Sequence, residues 1–268
     1  LLPSAIVTSI GTGIALGPYS PERLLTVVAC VAGIAFLVSA VAVVGVERHL
    51  GPVAPARDPK LMPALRATWA DPAARAFTGF VFLSILAFYL SELVLEPFMG
   101  HVHGLGPETS TKISGAKDGA ALLGMIGAGM LSTLRFGSLR FWAITGCVIS
   151  ALGLVGLGAG LAVMPFTVIL GLGNGLFVVG AIGSMMRLAA AQPGATGTRM
   201  GVFGAAQAIA AGLAGLLATG ILDAARIALP LDTAYAVVFG LEAVLFIAAA
   251  LMAGRLITAP QPALVPGE

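Results

Sequence analysis

Two carboxylates stand four residues apart near the end of a long apolar run, Glu92 and Glu96 in AFYLSELVLEPFMG (residues 87–100). On a helix that spacing places both acids on one face, one turn apart, and Tyr89, three residues before Glu92, joins them. Acids inside a membrane-length apolar run are costly and turn toward the protein interior, where they pair with a cation, carry a proton or contact a ligand. A cation for them stands in the next apolar run. Its first half is polar, with Thr109, Ser110, Lys112, Ser114, Lys117 and Asp118. If the two runs are consecutive antiparallel helices, these residues reach the depth of the two glutamates, and Lys117 can pair with Glu92 or Glu96 in a buried polar cluster. The competing reading is that Glu96 reaches the outer interface and Lys117 snorkels to it. Gly115 and Gly119 form a G-x-x-x-G that would admit another helix closely.

Three further polar residues lie in apolar runs. Glu242, in AVVFGLEAVLF, has no basic residue near it in sequence, so it needs a partner or a proton; proton coupling, a ligand contact and a structural hydrogen bond are all open. Asn174 lies between Gly173 and Gly175, a cluster that suits tight helix packing or carbonyls exposed to a cavity. Gln207, in GAAQAIAAG, sits on a small-residue face and suits an interhelical hydrogen bond. Pro97, directly after Glu96, tends to end or kink the helix there; His101 and His103 follow the third run and are expected in a loop, as weak candidates for ligating a metal or the magnesium of a pigment. His49 lies in a linker. Cys30 and Cys147 fall inside apolar runs and read as small core residues. There is no Walker loop, H-E-x-x-H, G-x-S-x-G or nucleophile–base spacing, so nothing in the sequence points to an enzyme.

The elements that must hold these residues follow from composition. Of 268 residues, 58% are hydrophobic and 10% charged, with a mean hydropathy of +1.02. A soluble domain carries about 25% charged residues, so this chain cannot clothe a water-facing surface. It reads as an all-α integral membrane protein, with runs too long for barrel strands. A net charge of +2 gives no reason to expect a nucleic-acid partner. Eight spans are expected, at about 1–16, 24–46, 76–98, 108–133, 139–163, 165–190, 198–227 and 233–257, since about 20 residues cross the hydrocarbon core. The first begins inside an apolar run with no basic leader, so the N-terminal part of a longer protein is expected to precede it.

Basic residues set the orientation. Ten (Arg48, Arg57, Lys60, Arg66, Arg75, Arg135, Arg140, Arg187, Arg199 and Arg255) lie on one side, against Arg23, Lys112, Lys117 and Arg226 on the other. The linker at 47–75 and the tail at 259–268 are therefore expected in the cytoplasm. Within the linker, KLMPALRATWAD (60–71) suits a short interfacial helix, with Trp69 at the headgroups, or a solvated loop. Six spans (76–258) after a long basic linker have the layout of the second half of a two-times-six transporter. Residues 1–46 would be the last two helices of the first half.

Five segments in this order, AFYLSELVLEPF (87–98), ISGAKDGAALLGM (113–125), GLGNGLFVVGAIGSMM (171–186), GTRMGVFGAAQAIAAG (197–212) and AYAVVFGLEAVLFIAAALMAG (234–254), resemble the PucC/LhaA family, the bacteriochlorophyll-delivery branch of the major facilitator superfamily. The resemblance covers the six spans after the linker. IVTSIGTGIALGPYSPERLL (6–25) is compatible with it but less distinctive. It implies a major facilitator-like bundle of twelve helices, about eight of them in this chain, in the inner, intracytoplasmic photosynthetic membrane of a bacterium. The implied role is assembly of light-harvesting complexes, by delivering bacteriochlorophyll to antenna polypeptides or chaperoning them. Pigment is then the cargo, and antenna polypeptides, the reaction centre, pigment-synthesis enzymes and membrane lipids are the partners. The superfamily's loop signature, an Asp followed by Arg and Gly, is degraded: the corresponding turn reads GMLSTLRFGSLRFW (129–142), with no Asp. That puts ordinary alternating-access transport in doubt. The layout alone also suits two other readings: a proton-coupled small-molecule transporter using Glu92, Glu96 or Glu242, or a non-transporting scaffold beside an antenna ring.

Overall fold

The computed structural model describes residues 20–44, 61–191 and 196–256. They fall into two units, residues 1–60 and 61–268. The described part of the first is one helix, α1 (Pro21–Val43), capped by Ser20, whose hydroxyl accepts from the Arg23 amide at 3.1 Å, and entered through Pro21 at its first position. The first expected span lies outside the described residues, as do residues 47–60 of the linker and the whole tail.

The described part of the second is a bundle of seven helices: α2 (Leu61–Ala70), α3 (Pro72–His103), α4 (Pro107–Thr133), α5 (Leu139–Gly158), α6 (Val163–Ala190), α7 (Thr196–Ala228) and α8 (Leu231–Leu256). The segment predicted as an interfacial helix or a loop is helical, with Trp69 about half exposed. Among the described residues there is no strand, and six helices (α1, α3, α5, α6, α7 and α8) are long and apolar enough to cross a membrane. The chain is a multi-pass, all-α membrane protein. α4, the fourth expected span, is as long as its neighbours but is not among the six, because its first half carries the polar residues noted above.

Lipid is as apolar as leucine, so burying leucine does not hold such helices together; close van der Waals packing does. The glycines of α6 supply it on two sides. A Cβ placed at Gly171 would lie 2.1 Å from the Lys117 carbonyl oxygen, and one at Gly175 2.0 Å from that of Ala121, both on α4. At Gly173 and Gly180 it would lie 2.4 Å from the Ser150 amide nitrogen and 2.3 Å from that of Ala143, both on α5. Of the two readings of Asn174 and its flanking glycines, tight packing is the one observed, and α6 runs unbroken through them. The G-x-x-x-G of α4 behaves otherwise. Gly115 and Gly119 have nothing within 4 Å, while Gly124, one turn beyond, faces Leu172, Gly175 and Leu176. The face of α4 that meets α6 runs through Lys117, Ala121 and Gly124, and the glycine pair lies off it.

α3 also departs from expectation. Pro97 was expected to end or kink the helix, yet α3 continues to His103 and stops at Gly104, whose left-handed φ of 61° lets its amide and that of Leu105 turn back onto the Gly100 and Met99 carbonyls. A proline removes one hydrogen bond, and helices packed in membranes tolerate that loss. α3 packs on α7 and α8, and α8 packs on α5. Aromatic contacts mark the α3 seams, Phe77 on Phe203 of α7 (ring centroids 5.1 Å apart) and Phe98 on Phe239 of α8 (4.9 Å), and a third, Phe177 on Phe246 (6.3 Å), joins α6 to α8.

Candidate functional site

The Lys117 ammonium donates to Glu92 at 2.5 Å, joining α4 to α3. The lysine side chain is 5% exposed and the glutamate 34%, so the cation is inside and its partner stands at the rim. Gly171 explains the position of Lys117: without a side chain there, α6 lies directly against the Lys117 backbone. Asp118 is 3.9 Å from the same ammonium but is exposed. Glu96 does not join the pair. It is exposed and accepts a hydrogen bond from the Ser110 hydroxyl at 3.3 Å. Of the two glutamates, Glu92 is therefore the one paired with the buried lysine, and Glu96 stands exposed.

One turn before Glu92, α3 turns Tyr89 into a groove of about 350 Å³ between α3, α6 and α7. Ile85, Phe88 and Tyr89 form one wall and Phe177 and Val178 the base. Gly204, Gln207, Ala208 and Ala211 form the other wall. The small-residue wall is smooth: Gly204 has nothing within 4 Å of where a Cβ would be. Phe88 and Tyr89 meet edge to face at 5.4 Å. The expected interhelical hydrogen bond of Gln207 is a weak one, from its amide nitrogen to Met185 Sδ at 3.7 Å. The lining thus offers aromatic surface, one phenol and one carboxamide.

Asn174 is buried and its Oδ1 accepts from the Ser150 hydroxyl at 2.9 Å, a bond between α6 and α5 away from the groove. Glu242 is fully buried on α8, and neither of its oxygens has a hydrogen-bond partner among the described residues. The histidines do not converge, and they are not in a loop: because α3 runs past Pro97, both lie in its last turn. Two residues apart on a helix is roughly 200° around the axis. His101 Nδ1 is 2.8 Å from the Tyr235 hydroxyl on α8, whereas the His103 ring lies edge-on to Phe98 at 5.0 Å. Among the described residues no group of three or more His, Cys, Asp and Glu side chains is placed to hold a metal ion.

One polar centre was missed in the sequence. Arg199, counted there only as a basic residue setting orientation, is 2% exposed and pairs with Asp71. It also donates to the Leu188 carbonyl at 2.9 Å. Asp71 at the same time caps α3, accepting from the Ala73 amide at 2.9 Å. One guanidinium therefore ties the start of α3, the end of α6 and the start of α7. The legible half of this centre was Asp71–Pro72, the cap-then-proline signature of a helix start.

Comparison with known proteins bears on what this bundle is. The family model described as "PUCC protein" matches residues 1–260. A protein of Rhodobacter capsulatus named "Bacteriochlorophyll synthase 44.5 kDa chain" is 47% identical over 275 residues, covering 99% of this chain and 64% of the relative. A "Protein PucC" of Cereibacter sphaeroides is 30% identical over 264 residues, covering 91% of this chain and 55% of the relative. A "Protein PucC" of Rhodovulum sulfidophilum is 32% identical over 177 residues, covering 62% and 38%. The chain thus spans less than two thirds of the length of these relatives.

Proposed function

The chain belongs to the PUCC family, and from that premise we propose that it serves the assembly of light-harvesting complexes in a bacterial photosynthetic membrane, handling bacteriochlorophyll for antenna polypeptides inside the bilayer. The observation that carries this reading is the groove between α3, α6 and α7. A pigment with a flat conjugated ring and a long hydrocarbon tail is nearly insoluble in water, so a protein that handles it needs apolar surface within the membrane and a few polar atoms to orient the ring. The groove has an aromatic wall, a smooth glycine–alanine wall that admits a flat face, and two hydrogen-bond donors, the Tyr89 hydroxyl and the Gln207 carboxamide. At about 350 Å³ it is at the small end of ligand sites, which run from roughly 300 to 1,000 Å³. It takes one edge of the ring and leaves the tail to lipid. The Gln207–Met185 contact is weak enough to be exchanged for a ring carbonyl.

The name of the Rhodobacter capsulatus relative suggests a second reading, in which the pigment is a reactant rather than a cargo. One experiment addresses both. The full-length protein in lipid nanodiscs is titrated with bacteriochlorophyll, followed by near-infrared absorption, and the pigment is then extracted and analysed. Delivery predicts saturable binding and recovery of unchanged pigment. Gln207→Leu should weaken binding about tenfold, the equivalent of one hydrogen bond, and Gly204→Leu should block the groove. Chemically altered pigment would favour the synthase reading. Binding indifferent to both substitutions would remove the groove from the proposal. Association with antenna polypeptides without any pigment binding would leave a scaffold.

A further inference from the structure

Glu242 is the least explained group in the bundle. It is fully buried, both oxygens lack a partner among the described residues, and it lies eleven residues into the apolar α8. Two edge-to-face aromatic contacts flank it on the same face of α8. Phe239, three residues before it, stacks on Phe98 of α3, and Phe246, four residues after it, stacks on Phe177 of α6. The cations and acids on α8 and on the helices packed against it are accounted for without it. On α3, Arg75 donates to the Trp69 carbonyl, Glu92 holds Lys117, Glu96 accepts from Ser110, His101 meets Tyr235 of α8, and His103 packs on Phe98. On α5, Cys147 is buried, and Arg140 stands at the helix start; on α6, the charged residue is Arg187, in the last turn. On α7, Arg199 holds Asp71, while Asp223 and Arg226 are exposed near its far end. On α8, Asp232 and Arg255 stand in the first and last turns. None donates a hydrogen bond to Glu242.

An ionised carboxylate cannot remain in such a place, because the cost of stripping its water is returned only by a paired, hydrogen-bonded partner. We infer that Glu242 is a proton-binding site of the bundle, held as the uncharged acid while α8 is closed on α3, α5 and α6, and able to release its proton only when the Phe98–Phe239 and Phe177–Phe246 contacts part. The bundle then has a second, wetter arrangement whose population rises with pH. This inference does not depend on pigment handling.

Two measurements on the full-length protein test it. The first is infrared difference spectroscopy of wild type against Glu242→Gln in nanodiscs. A protonated-acid carbonyl band should be present at neutral pH in the wild type only, and its absence would overturn the inference. The second is equilibrium unfolding in mixed micelles. The unfolded chain releases this proton above the ordinary glutamate range while the folded chain keeps it. The folded state is therefore fully favoured below that range and loses ground as pH rises toward the value at which the folded site itself ionises. Relative to Glu242→Gln, the wild-type unfolding constant should rise up to tenfold per pH unit across that window. Equal slopes in the two proteins would overturn the inference, including the case in which the variant folds less well at every pH.

Discussion

The Lys117–Glu92 pair makes a quantitative prediction because its two ends are buried so unequally. Replacing Lys117 with Met strands a carboxylate whose side chain is 34% exposed and can still reach water. Replacing Glu92 with Leu strands an ammonium that is 5% exposed, whose nearest remaining acid is Asp118 at 3.9 Å. Removing one partner of a fully buried pair costs about 3–5 kcal/mol. The stranded lysine should approach the lower figure, about 3 kcal/mol, and the stranded, part-exposed glutamate about half of it. For a unit of this size that is a loss in Tm of roughly 6–12 °C for Glu92→Leu and 3–6 °C for Lys117→Met. In the double variant no ion is stranded, so its loss should fall below that of Glu92→Leu alone, a coupling of more than about 1.5 kcal/mol. Thermal denaturation of the four proteins in one detergent, followed by helical circular dichroism, is the assay. Additive losses, or a larger loss for Lys117→Met than for Glu92→Leu, would refute the reasoning.

Two further perturbations follow from the packing. Gly175→Ala places a methyl 2.0 Å from the Ala121 carbonyl and should cost at least about 1–3 kcal/mol by forcing α4 from α6, whereas Gly212→Ala, with nothing within 4 Å, should gain up to about 1 kcal/mol from helix propensity; thermal denaturation of the pair checks both. Arg199→Met leaves Asp71 without its cation and should lose about 3 kcal/mol, and Arg199→Lys should recover only part of that, because one ammonium does not reproduce a guanidinium fork spanning Asp71 and the Leu188 carbonyl; the same assay reads both.

The helices themselves were legible because each is an apolar run bounded by proline, glycine or charge. The depth argument that brought Lys117 within reach of Glu92 or Glu96 needed only antiparallel neighbours, and it left open which of the two is the partner. What sequence could not give was which side of each helix faces inward. In water, core and surface differ in polarity and the pattern reveals the face; between lipid and protein core that contrast vanishes. Gly115 and Gly119 were therefore chosen by their motif, although Gly124 and Lys117 are on the packed face. The histidines were misplaced for another reason: a proline in sequence suggests an end or a kink, and only the packed bundle shows that α3 passes through Pro97 to stop at Gly104. Arg199 was missed because its partner lies 128 residues away. A groove built by three helices likewise leaves no local trace, although two of its residues, Tyr89 and Gln207, stood out as polar side chains in apolar company.

The glycine seams of α6 also govern how the bundle can move. Where helices meet through long side chains, one can slip past the other as rotamers exchange. At Gly171, Gly173, Gly175 and Gly180 no such lubricating layer exists, and the neighbouring backbones are interlocked like tongue and groove. Shear between α6 and α4, or between α6 and α5, would drive a carbonyl into a backbone nitrogen within a fraction of a turn. These three helices therefore travel as one slab. Any breathing of the structure is displaced to the side-chain-lined seams of α3, α7 and α8, so the mouth between Tyr89 and Gln207 lies along a margin free to widen.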